Sequence, residues 1–350
     1  MFLHHKSATT DYPNPDHWLE IRTVEMHTGG EPLRVILSGW PELSGNSVLE
    51  RRRQQMEHFD HLRKALMWEP RGHADMYGCL IVPPNDAGAD FGIIFMHNEG
   101  YSTMCGHATI AITRLAVELH WVEIQEPETR VVIDAPCGRL VSYASIRDGK
   151  VLSVRFEGVP SFVLARDQML QVPGLGSIIF DLAYGGAFYA FVQIEEDRLP
   201  LTPEYYQQHI HYGRMIKQLV QAGSWDIRHP FEHDLSFLYG TIFMQGPVGP
   251  GAVSRNVCVF ADGEVDRSPT GSGVSGRMAL HYDQGLLQVG DTMTIESIVG
   301  SAFTGKVLCT TNYGPYEAVI PEVGGMAYVT GENRFWIDPD DPFREGFFLR

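Results

Sequence analysis

Two short stretches share one layout and constrain the fold more than anything else in this chain. "YSTMCGHATIAITRLAVELH" (101–120) and "VDRSPTGSGVSGRMAL" (265–280) each lead an extended segment through a glycine into a helix. Each sets a side chain of nucleophilic type, Cys105 or Thr270, immediately before that glycine. In the first helix Ala108, Ile110, Ala111, Ile112, Leu115, Ala116, Val117 and Leu119 are apolar around most of the circumference. That pattern predicts a helix surrounded by protein on nearly all sides. The corners lie 165 residues apart in a chain of 350, about half its length. The spacing predicts a duplication: two similar domains, each with a buried helix, meeting at a cleft.

The remainder reads mostly as short strands, among them "LEIRTVEMH" (19–27), "FGIIFMH", "VLSVRFEGV", "AFYAFVQI" and "NVCVFADG". Residues 1–17 read as a loose polar tail. "SVLERRRQQMEHFDHLRKALM" (47–67) reads as one charged, exposed helix, and 202–222 as a polar amphipathic one. The second corner's helix is expected to end before Gly285, a residue suited to a helix C-terminus. The length allows two domains with proper cores.

A net charge of -16 and a pI near 5.3 argue against nucleic acid and anionic membrane as partners, since both attract basic patches. The five cysteines, Cys79, Cys105, Cys137, Cys258 and Cys309, are odd in number and contain no CxxC pair. A disulfide framework or structural zinc is therefore not expected, and a cytoplasmic location is. The first residues lack the apolar run of a signal peptide, and nothing reads as a membrane span.

A helix N-terminus presents free N–H groups and partial positive charge. It suits a carboxylate and favours a thiolate. Cys105, with Gly106 beside it and His107 two residues on, is the candidate functional thiol. The other four cysteines have no such setting and read as inert. "SPTGSGVSG" offers the same N–H groups from Gly271, Ser272 and Gly273; alone, Thr270 reads as an ordinary N-cap, and Asp266 with Arg267 as a turn pair. Gly271, Gly273 and Gly276 also spell G-x-G-x-x-G. The flanking pattern is strand after strand rather than βαβ, which argues against a dinucleotide fold. A Cys105–His107 hydrolase pair is not expected, because side chains two apart at a helix start diverge. No HExxH or clustered metal spacing occurs, so no metal is expected.

Taken together, "HTGGEP" (27–32), "EPRGHADMYG" (69–78), "HNEGYSTMCGHA" (97–108), "AYGGAFYA" (183–190), "FADGEVDRSPTGSG" (260–273), "GSAFTGKV" (300–307) and "DPDDPF" (338–343) resemble the proline racemase family. The resemblance runs from about residue 20 to the C-terminus. It implies an α+β, diaminopimelate epimerase-like fold: two pseudo-symmetric domains, each a strand barrel around a central helix, with the active site between them. The expected division is 18–184 with Cys105, 185–337 with Thr270, and 338–350 returning to the first domain. No cofactor is implied, the partner is a small imino acid, and a homodimer is the expected assembly.

Family racemases carry a cysteine at each corner, one a thiolate base and the other a thiol acid. Here Cys105 fills the first position, and Thr270 stands where a racemase reads "DRSPCG". A hydroxyl is a far weaker acid than a thiol, so two-faced racemisation should be lost or nearly so. Within the family the Cys/Thr pairing accompanies dehydration of trans-3-hydroxy-L-proline to Δ1-pyrroline-2-carboxylate. Racemisation or 2-epimerisation of proline or 4-hydroxyproline is the alternative. By the resemblance, the N–H groups of Gly106, His107, Gly271 and Ser272 hold the substrate carboxylate. Asp266 and His107 meet the ring nitrogen, and Tyr77 and Phe260 enclose the ring. Tyr77 stands where racemases often have Phe.

Overall fold

The computed structural model describes residues 17–247 and 249–349; most of the expected N-terminal tail lies outside them. The first half runs β1 (Leu19–Thr28), β2 (Glu31–Ser38), α1 (Val48–His58), α2 (Asp60–Met67), β3 (Tyr77–Val82), β4 (Phe91–His97), α3 (Gly106–Glu118), β5 (Glu128–Ala135), β6 (Gly138–Arg147) and β7 (Lys150–Glu157). The second runs β8 (Ser161–Val172), β9 (Gly176–Tyr184), β10 (Phe188–Gln193), α4 (Tyr206–Ala222), β11 (Leu238–Gln245), β12 (Ser254–Phe260), β13 (Glu264–Val265), α5 (Gly271–Asp283), β14 (Thr292–Glu296), β15 (Ala302–Tyr313), β16 (Tyr316–Gly325) and β17 (Ala327–Ile337).

The pairing repeats. β1–β2 is antiparallel, β2–β3 parallel, β3–β4 antiparallel, β4–β5 parallel, and β5–β6 and β6–β7 antiparallel. β9–β10, β10–β11, β11–β12, β12–β14, β14–β15 and β15–β16 follow the same alternation. β17 flanks β1 as β8 flanks β9. Helices fall at matching places, with α3 between β4 and β5 and α5 between β12 and β14. This is the duplication expected from the two corners, in the α+β fold that the resemblance implies.

The rings share β16. Its first part pairs with β8 and closes the second ring, and its last residues pair with β7. The chain crosses between rings at 158–160 and returns at 326. By this pairing the expected 184/185 division falls inside the second ring, and β17 lies in the first. In the C-terminal segment Phe347 bridges Glu69 and Phe348 stacks on Trp68.

α3 threads the first ring and α5 the second. Each is buried along nearly its whole length, and most polar groups they carry inward are paired. Thr113 donates to the Thr109 carbonyl at 2.7 Å, and Arg277 donates to Ser254 at 2.6 Å and Asn256 at 3.0 Å. The G-x-G-x-x-G glycines serve packing. A Cβ on Gly273 would lie 2.4 Å from Ile242, and one on Gly276 2.7 Å from Phe191.

The 47–67 segment corrects the sequence-based reading twice. It is two helices, parted at Phe59, and three of its four arginines, Arg51, Arg52 and Arg63, are buried rather than exposed. Arg51 donates to the Pro83 carbonyl, Arg52 to that of Tyr101 and Arg63 to that of His97, at 2.9–3.0 Å. Guanidinium groups supplied with such acceptors can be buried with their charge.

Candidate active site

The two corners meet head to head. Gly106 and Gly271 open α3 and α5, and a Cβ on either would lie 2.5 Å from the other's Cα. Both helix N-termini thus converge on one small space. The first N–H groups of each helix have no partner within their own helix, so the donors of Gly106, His107, Gly271 and Ser272 surround one spot. All nine residues expected from the sequence line this single cavity: Tyr77, Cys105, Gly106, His107, Phe260, Asp266, Thr270, Gly271 and Ser272. It encloses about 20 Å³, room for on the order of one water. The site is closed, and a ligand larger than a water requires it to open.

Cys105 is the N-cap of α3, with extended backbone angles (φ -145°, ψ 107°), and its Sγ accepts from Ala108 N–H at 3.4 Å. That extended backbone also brings Sγ to 3.1 Å from His107 Nδ1. The two side chains therefore converge rather than diverge, because the spacing rule applies only where both residues are helical. Burial pushes the thiol well up, the Ala108 amide opposes this, and the negative charges of Asp266 and Glu31 add to it. The helix terminus thus does not by itself make a thiolate in the closed site. Burial pushes His107 down to about 3, so its imidazole is neutral.

Thr270 caps α5 differently. Its backbone is left-handed (φ 67°), an unusual state for a β-branched residue, and its hydroxyl does not cap the helix. The buried Oγ1 has no well-formed hydrogen bond, although it lies near enough to Asp266 and Cys258 to influence their protonation. Such strain is characteristic of functional sites. Asp266 accepts from Ser268 N–H at 2.7 Å, and burial raises its carboxyl.

Arg267 is not part of a plain turn. Its Nε lies 3.0 Å from the Glu31 carboxylate, and its backbone N–H donates to the same oxygen at 2.8 Å. It also donates to the Asp75 carbonyl at 2.9 Å. Behind the aromatic wall, His97 Nδ1 meets Glu264 at 3.0 Å with both side chains buried. These two pairs tie the halves together at the site.

Sequence reading missed Met104, Tyr189 and Tyr239, which also line the cavity. Tyr189 lies within the quoted "AYGGAFYA" and bonds Ser272 at 2.8 Å. Tyr239 lies in an apolar strand, where only its polar tip was a signal. Among the described residues, no cluster of His, Cys, Asp or Glu could hold a metal ion.

The chain is 50% identical to the trans-3-hydroxy-L-proline dehydratase of Colwellia psychrerythraea, over 96% of this chain and 94% of that one. It is 47% identical to the 3-hydroxyproline 2-epimerase of Burkholderia multivorans, over 94% of this chain and 98% of that one. A crystal structure of a hydroxyproline epimerase from Agrobacterium vitis, with bound trans-4-hydroxy-L-proline, superimposes with a TM-score of 0.89. That protein is 30% identical, and the match covers 95% of this chain and 96% of that one. The proline racemase family model matches residues 23–348, and the chain belongs to that family.

Proposed function

We propose that this protein is a hydro-lyase that converts trans-3-hydroxy-L-proline to Δ1-pyrroline-2-carboxylate and water, using only its own side chains and backbone. One observation carries the reading: a thiol stands at one of the two facing helix N-termini and a threonine hydroxyl at the other. Relatives 46–50% identical that are named as this dehydratase agree with it.

The converging N–H groups hold the carboxylate and stabilise the charge that moves onto it when the α-proton leaves. The substrate's ring ammonium brings positive charge beside Asp266 and Cys105. That charge offsets the effects that keep the thiol protonated, so the thiolate forms in the complex. In this substrate the α-hydrogen and the 3-hydroxyl both lie opposite the carboxylate, hence on one ring face. Cys105 takes the α-proton and the hydroxyl departs from the same side. Thr270, facing the other side, supplies no proton. The enamine product then tautomerises.

A 2-epimerase is the second reading, favoured by the 47% identical relative of that name. Proton NMR in deuterated water decides between them, with trans-3-hydroxy-L-proline, L-proline and trans-4-hydroxy-L-proline in parallel. Pyrroline-2-carboxylate from the first alone supports the dehydratase. Inversion with α-deuteration and no elimination overturns it. A cytoplasmic location belongs to the same proposal; all five cysteines are free thiols, as a reducing compartment keeps them. No helix among the described residues is long and apolar enough to cross a membrane.

A further inference from the structure

A one-faced elimination leaves a proton problem. Cys105 ends the first step as a thiol, and the departing hydroxyl needs a proton on that same face. His107 is neutral and has none to spare beyond its ring N–H. Thr270 caps the helix opposite Cys105. Of the phenols lining the cavity, that of Tyr77 belongs to the ring packed on His107 beside Cys105.

Tyr77 opens β3, is 2% exposed, and lines the cavity beside Cys105. Its ring packs edge-on to His107, with centroids 4.8 Å apart, and against Phe260 at 6.1 Å. The hydroxyl forms a hydrogen bond with the buried Ser102 Oγ. The phenol and the Cys105 thiol line the same cavity, and each bears on the other's protonation. Burial and the thiol together keep the phenol protonated. Ser102 and Tyr77 are hydrogen-bonded, and Tyr77 and Cys105 face the same cavity, so exchangeable hydrogens lie side by side there. A phenylalanine would pack as well against His107 and Phe260, so packing does not account for the hydroxyl.

We propose that Tyr77 is the catalytic acid for the leaving hydroxyl and closes a proton cycle with Cys105. The proposal rests on the dehydratase reading. The Cys105 thiolate takes the α-proton, and the C–H electron pair becomes the carbanion, delocalised into the carboxylate. That pair forms the C2–C3 double bond as the C3–O bond breaks, with its electrons leaving on oxygen. The Tyr77 proton passes to that oxygen and gives water. The phenolate then takes the proton from the Cys105 thiol, restoring both groups. Each turnover converts one substrate to enamine and water with no net gain or loss of protons by the enzyme.

The test separates proton abstraction from departure of the hydroxyl. Tyr77→Phe, Ser102→Ala and the unaltered protein are given trans-3-hydroxy-L-proline in deuterated water, and α-deuteration and pyrroline-2-carboxylate are both followed by NMR. Tyr77→Phe is expected to eliminate at least about 100-fold more slowly, with α-exchange kept within about tenfold. Ser102→Ala, which keeps the phenol but removes its partner, shows the same split at smaller size. It also serves should Tyr77→Phe not fold, as judged by circular dichroism. Elimination by Tyr77→Phe within about threefold of the unaltered protein overturns the role. Equal loss of exchange and elimination in a folded variant overturns it too. An unaltered protein that forms no pyrroline-2-carboxylate contradicts the dehydratase reading instead.

Discussion

Gly106 and Gly271 touch backbone to backbone at the centre of the site, each where a Cβ would come within 2.5 Å of the other's Cα. The two helix N-termini can come this close only because neither residue has a side chain, and the proposed sharing of one carboxylate depends on it. Gly106→Ala or Gly271→Ala should push α3 and α5 apart. The expected cost is about 1–3 kcal/mol of stability and about 100-fold in kcat/KM. Urea unfolding and steady-state kinetics on the same samples check both numbers.

The chemistry assigned to Cys105 depends on its sulfur. Cys105→Ser keeps size and position but replaces a thiol by a hydroxyl, and kcat should fall about 1,000-fold. The fold should persist, since the N-cap role passes readily to serine. Activity close to that of the unaltered protein would sink the thiolate role.

Thr270→Cys restores an acid on the opposite face. α-Inversion of L-proline and trans-4-hydroxy-L-proline should rise at least about 100-fold above the unaltered protein. Polarimetry or NMR in deuterated water measures it. No gain of inversion would mean that the hydroxyl at 270 is not what separates lyase from isomerase.

Arg267 holds the buried carboxylate of Glu31 across the two halves. Burial keeps the Glu31 carboxyl well above the usual range, with Arg267 opposing it. Arg267→Met leaves Glu31 without that partner and should cost about 3 kcal/mol, read from urea unfolding. KM should rise more than kcat falls, because the latch acts on closure and not on the reacting atoms. The opposite split would place Arg267 in the chemistry.

The imidazole of His107 gives a pH signature. Its value is about 3 when folded against an ordinary 6.5. Between those values the unfolded chain binds the extra proton, so stability falls as pH drops below 6.5, by up to about 1.4 kcal/mol per unit. Asp266 works the other way above 3.8, since its folded carboxyl is raised and the folded state holds the proton. The difference between the protein and its His107→Gln variant isolates the first effect. The variant's stability should decline less steeply from pH 6.5 to 4, and identical slopes would contradict the buried neutral ring.

What was legible in the sequence was set by local pattern. The apolar circumference of α3 marked a buried helix, and the matched corners at Cys105 and Thr270 marked the duplication that the strand order displays. What was not legible depended on partners far away in the chain. Arg52 and Arg63 read as solvent-facing because the carbonyls of Tyr101 and His97 that receive them lie in a distant loop and strand end. Arg267 read as part of a turn because Glu31 is 236 positions away. The approach of Cys105 to His107 follows from an extended N-cap that residue spacing cannot express. The left-handed backbone of Thr270 is likewise unexpected for a β-branched residue.

The central claim is that abstraction and departure occur on one ring face, with nothing acidic on the other. Its most direct test sets trans-3-hydroxy-L-proline beside the cis isomer, whose hydroxyl lies on the face opposite the α-hydrogen, in deuterated water. The account predicts elimination from the trans isomer, and from the cis isomer α-deuteration with at least about 100-fold slower elimination. Equal elimination from both would place an effective acid on the Thr270 side and contradict it.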